Sequence, residues 1–237
     1  MKGSILKEKY SWIWLVVLMT ILNLLFYWKF IIGKEFFLVS KDMAIQQYSS
    51  LVNWLNHIGD GIKGWSFSEG MGNSYDFSGQ TFSLNIFLLL FGKENLKYTF
   101  IWYHLIKMYL AAVLFYCALT KLGIKQKVAV YGALCYVYSA TFIVRSFWAS
   151  YALEFVLFAL LLYALECYFQ DNNWLLLVVA IVLLGTQLQL YHLVVYSVAM
   201  LCYTLIRNYL VTNYRGKKFW KYIGNCALIM IVSVIIL

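Results

Sequence analysis

Residues 12–32 read WIWLVVLMTILNLLFYWKFII, twenty-one positions that carry a single charge, Lys29. A helix needs about 20 such residues to cross the hydrocarbon of a bilayer. The run is too long for the core of a secretory signal and has no small-residue cleavage site, so it reads as a retained membrane anchor. Lys2, Lys7 and Lys9 precede it and place the N-terminus in the cytoplasm by the positive-inside rule.

The rest of the chain repeats the pattern. Of 237 residues, 63% are hydrophobic and 12% charged, with a mean hydropathy of +0.74. A soluble domain carries about twice that charged fraction. Apolar runs near span length point to an all-α, polytopic transmembrane bundle and away from a barrel of short alternating strands. The net charge of +9 sits in short segments between apolar runs, where it sets orientation and attracts anionic lipid, so nucleic acid is not an expected partner. The cysteines (Cys117, Cys135, Cys167, Cys202, Cys226) lie within apolar runs without CxxC spacing and read as small core residues.

Further spans are expected at 98–120, 128–144 and 151–169. The 175–206 run is too long for one crossing at about 1.5 Å per residue and is divided near Tyr191-His192 into two short spans. That division keeps Arg207, Arg215, Lys217, Lys218 and Lys221 cytoplasmic. A last span begins near Tyr222, giving about seven in a single domain covering 1–237. The final run reaches Leu237 while still apolar, so a longer parent protein is expected.

Residues 33–97 then form one large extracytoplasmic loop, which holds six of the ten acidic residues, Asp42 among them. Ala44, Ile45, Tyr48, Leu51, Val52, Leu55 and Ile58 recur at helical spacing opposite Gln46, Gln47, Asn53 and Asn56, the pattern of an interfacial helix. Asp42 stands just before that helix, and sequence leaves it as either N-cap or general base. Residues 81–92 (TFSLNIFLLLFG) are too few to span and read as a re-entrant or interfacial segment. The segment 59–79 combines six glycines with Trp65, Phe67, Tyr75 and Phe77. It suits either a loop whose backbone and rings approach a sugar or a plain lipid-facing loop. The GxGxxG match at Gly59 to Gly64 follows no strand and carries no dinucleotide reading.

Titratable groups inside spans normally face the bundle interior or a wet cavity. Lys107, Glu154 and His192 meet that description, Arg145 borders it, and all four fall in the outer halves of their spans. The competing reading has Lys107 and Arg145 snorkelling to headgroups while Glu154 pairs with one of them. Lys29 and His104 read as interface anchors.

The order of these elements resembles a known family. One span, then Asp42-xxx-Gln46-x-Tyr48, then Trp65-Ser66-Phe67-Ser68-x-Gly70-Met71-Gly72 and an apolar re-entrant segment is similar to the N-terminal part of the bacterial YfhO family. The similarity continues through Tyr103-xxx-Lys107-xx-Leu110 and Trp148-xxxxx-Glu154. It implies a C-type glycosyltransferase (GT-C) fold in a bacterial plasma membrane, using a polyprenyl-phosphate-linked sugar donor on the outer face. The acceptor it implies is a cell-wall or teichoic-acid-type polymer. In that fold an acid just after the first helix is the general base, and the matching residue here is Asp42. Lys107, Arg145 and His192 are then candidates for the donor phosphate, with Gln46, Glu154 and Trp65 at the substrate. No His/carboxylate pattern names a metal, and a divalent ion at the phosphate is compatible with this chemistry. A lipid or polysaccharide transporter or flippase and a non-catalytic scaffold are the rivals. The concentration of acids in one outer loop favours the enzyme over both, because a transporter more often gathers polar groups near the midplane.

Overall fold

A computed structural model describes residues 10–37, 48–49, 52–53, 55, 65–66, 73–74, 94–145, 149–186, 190–211 and 216–236. The chain divides into two compact units, Met1–Tyr163 and Ala164–Leu237, described separately below.

In the first unit, α1 (Ser11–Ile31) packs against α2 (Leu96–Lys121) and α3 (Gln126–Val137), and α2 also packs on α3. The buried side chains of α1 are Ser11, Leu15, Met19, Asn23 and Tyr27, a stripe with a spacing of four. Trp12, Trp14, Ile21, Leu25, Phe26 and Trp28 are exposed on the same helix. A helix apolar on all sides and packed on one belongs in lipid. The exposed tryptophans near both ends match the aromatic belts of the two membrane interfaces.

Between α2 and α3 the chain turns through Gly123, whose φ of 87° is the left-handed conformation that glycine adopts without cost. At Gly132 the helices approach closely: a Cβ there would lie 2.7 Å from a Leu119 methyl. The expected 128–144 span is interrupted at Tyr138-Ser139, and α4 (Ala140–Arg145) follows. No proline is involved. Ser139 Oγ accepts from the Phe142 amide at 3.2 Å and restarts the helix as a cap does.

Two two-residue strands, β1 (Trp65–Ser66) and β2 (Asn73–Ser74), pair antiparallel with Trp65 opposite Ser74. This small hairpin in the Gly-rich loop was not expected of an all-α chain. The backbone is helical at 48–49, 52–53 and 55, positions within the amphipathic stretch read from sequence. Residues 81–92 lie outside the described residues.

Helix α5 (Ala149–Asp171) contains the boundary between the units. It ends at Asn172, in the left-handed region at φ 57°, a conformation that asparagine tolerates. Asn173 Oδ1 then accepts from Leu176 N at 3.2 Å and caps α6 (Trp174–Gly185). Helix α7 (Leu190–Ile206) runs into a π-helical turn (Arg207–Val211), and α8 (Gly216–Ile236) packs on α6 and α7. The break in the 175–206 run falls after Gly185, earlier than the Tyr191-His192 expected, and both of those residues lie within α7. Thr186 bonds back to Leu183 O at 2.8 Å at this helix end.

Among the described residues, four helical segments, Ser11–Ile31, Leu96–Lys121, Gln126–Val144 and Ala152–Asp171, are long and apolar enough to cross a membrane. The protein is a helical, multi-pass membrane protein.

Candidate functional site

The first half of α2 presents Tyr103, His104 and Lys107 to the interior of the first unit. Residues 103 and 107 are one helical turn apart and therefore share a face. The Lys107 ammonium lies 3.7 Å from the centroid of the Tyr103 ring, within cation–π range. Lys107 is only 2% exposed. Its nitrogen is held inside the protein, where the snorkelling reading had sent it out to headgroups.

His104, read as an interface anchor, is also buried, at 3% exposure. Its ring stacks on Phe37 at 5.1 Å and meets Tyr27 edge-on at 5.5 Å, with Phe142 6.4 Å away. Its Nε2 lies 3.3 Å from the Tyr27 hydroxyl. Sequence placed the histidine near the boundary by counting along the span. Rings from α1, the segment after it and α4 enclose it instead. Lys29 is exposed, as an anchor should be.

Glu154 is buried in the same unit, at 3% exposure. The neighbouring Phe155 accepts a 2.7 Å bond from Tyr136 at its carbonyl, and its ring packs on Phe142. Arg145 is the last residue of α4, Trp65 lies in β1, and His192 lies in α7 in the second unit. The side chains of these three, and all of Asp42 and Gln46, lie outside the described residues.

The second unit holds a buried ionic cluster that sequence reading did not single out. Glu166, fully buried on α5, receives Arg207 Nε on Oε1 at 2.8 Å and Arg207 Nη2 on Oε2 at 2.9 Å. The Tyr203 hydroxyl donates to Oε1 at 2.5 Å and Gln170 Nε2 to Oε2 at 3.0 Å. Four donors on one carboxylate satisfy it as fully as a buried anion requires. The signal was available: a carboxylate inside an apolar span calls for a cation, and Arg207 is the first Lys or Arg after it in the chain.

The pair also constrains the path. The chain leaves α5 at Asp171 and is back beside Glu166 at Arg207, so α6 and α7 together carry it away and return it. At about 1.5 Å per residue the twelve residues of α6 rise roughly 18 Å, well short of the ~30 Å hydrocarbon.

No family model, curated protein or solved structure matches the chain. Among the described residues, no group of three His, Cys, Asp or Glu side chains converges to hold a metal ion.

Proposed function

We propose that the chain belongs to a bacterial plasma-membrane glycosyltransferase of the YfhO kind with a GT-C-type fold. It moves a sugar from a polyprenyl-phosphate-linked donor to a cell-wall or teichoic-acid-type acceptor on the outer face. The observation that carries this reading is the burial of Lys107. An ammonium kept inside a membrane bundle, within a unit that also buries Glu154, is suited to an anionic ligand that enters from the lipid.

In the proposed reaction the Asp42 carboxylate takes the proton of the acceptor hydroxyl. The acceptor oxygen bonds to the sugar's anomeric carbon as the bond from that carbon to the phosphate oxygen breaks. The electron pair leaves with the polyprenyl phosphate, whose charge Lys107 and Arg145 stabilise. Gln46, Glu154 and Trp65 hold the sugar and acceptor.

Lys107→Ala is expected to abolish retention of polyprenyl phosphate in native mass spectrometry. Lys107→Arg should keep part of it, because the charge survives with altered geometry. Equal retention by wild type and Lys107→Ala returns Lys107 to a packing role and removes the main support for the reading.

The orientation that goes with this function, with the N-terminus cytoplasmic and 33–97 outside, is checked by thiol labelling. On a background lacking the native cysteines, a probe at position 73 should label in intact cells, and probes at 125 and 217 only after permeabilisation. Labelling of 217 from outside would place α8's start on the wrong face and overturn this orientation.

A further inference from the structure

The antiparallel pair α1 and α2, with the end of α3, encloses a polar seam. Thr20 gives its hydroxyl hydrogen to Val16 O at 2.8 Å, so the 2.8 Å bond between Thr20 and Tyr109 has the Tyr109 hydroxyl as donor. One turn further along α1, Tyr138 donates to Asn23 Oδ1 at 2.7 Å and lies 3.3 Å from the Met19 carbonyl. A further turn along, Tyr27 meets His104 Nε2 at 3.3 Å. From Thr20 to Tyr27 the seam covers about 10 Å of helix axis.

Two polar atoms of this seam are buried without any hydrogen-bond partner: Asn23 Nδ2 and His104 Nδ1. Their residues are 2% and 3% exposed. The other polar atom of each side chain is already bonded: Asn23 through its oxygen to Tyr138, His104 through its other nitrogen to Tyr27. Buried polar atoms in native proteins find partners, and internal water supplies them where no side chain does.

We propose that this seam is a hydrated site, with internal water bonded to Asn23 Nδ2 and His104 Nδ1. The Tyr27 and Tyr138 hydroxyl oxygens have lone pairs to complete the water's coordination. Thr20 lies opposite Tyr109 and Tyr27 opposite His104, so in the antiparallel pair Asn23 comes level with Lys107. The site therefore brings water to the depth of the buried ammonium. The inference rests on hydrogen-bond geometry and is independent of sugar transfer.

Hydroxyl-radical footprinting of the full chain in lipid nanodiscs tests it, because radicals formed from bound water label adjacent side chains shielded from bulk solvent. His104, Tyr27 and Tyr138 should be oxidised at rates approaching that of the exposed Tyr131. Met108, fully buried on the same helix and intrinsically more reactive, should remain unlabelled. Asn23→Leu should remove the His104 label while sparing Tyr131. If His104, Tyr27 and Tyr138 stay as unreactive as Met108 in the wild type, the seam is dry and the inference fails, whether or not Asn23→Leu folds. Loss of transferase activity in Lys107→Ala alongside normal footprinting leaves the hydrated site standing.

Discussion

Arg207→Ala is expected to lower the stability of the protein in detergent by about 3–5 kcal/mol, the usual cost of stranding one partner of a buried ion pair. Glu166 is fully buried and takes two of its four bonds from Arg207. Without the guanidinium, the carboxylate keeps Tyr203 and Gln170 but loses its only opposite charge among the described residues. Removing both charges is a different matter. The double variant Glu166→Met with Arg207→Leu eliminates the need for pairing and should recover most of the loss, because the Coulombic gain of such a pair roughly balances its desolvation. Arg207→Lys should fall between the two, since a single ammonium cannot reproduce the two-pronged contact. Thermal unfolding followed by size-exclusion chromatography measures all three. A loss for Arg207→Ala below about 1 kcal/mol, the range of an exposed pair, would mean that water reaches the cluster and that it does not hold the α6–α7 return in place.

The positions of the helices were legible because apolar runs of span length have few alternatives, and α1 (Ser11–Ile31) begins and ends within a residue of the run 12–32. Which side of α1 packs was not legible. With apolar residues all around the helix, periodicity has no contrast, and only Asn23 hinted at the stripe that also buries Leu15, Met19 and Tyr27. The break at Tyr138-Ser139 was hidden because nothing in an apolar run with one serine distinguishes a cap from a passenger. Lys107 and Glu154 were found by the cost of charge in lipid, which depends on residue type alone. Glu166 follows the same rule but stands five residues before the end of α5, where a carboxylate also reads as an interfacial charge. His104 was misplaced because depth along a span says nothing about enclosure by Tyr27, Phe37 and Phe142, which come from distant parts of the chain.

On the proposed reaction, Asp42→Asn is expected to express and insert normally yet lose about 10²-fold or more in transfer rate, the contribution of a positioned general base. Asparagine caps a helix about as well as aspartate, so the substitution preserves whatever Asp42 does for the start of the amphipathic stretch that follows it. Asp42→Ala removes both functions at once, with a capping cost of about 1 kcal/mol, and cannot separate them. The asparagine amide also keeps the side chain's size and a hydrogen-bonding oxygen. What it lacks is a carboxylate able to accept the acceptor's proton. The comparison is made by complementation of a deletion strain, with sugar analysis of the wall polymer and membrane lipids as the readout. Asp42→Asn should leave the polymer unglycosylated while Asp42→Glu, which retains a base on a longer arm, restores part of it. Wild-type glycosylation from Asp42→Asn would make Asp42 a cap and nothing more, and the transfer chemistry would then need another base within 33–97, where Glu35, Asp60, Glu69, Asp76 and Glu94 remain.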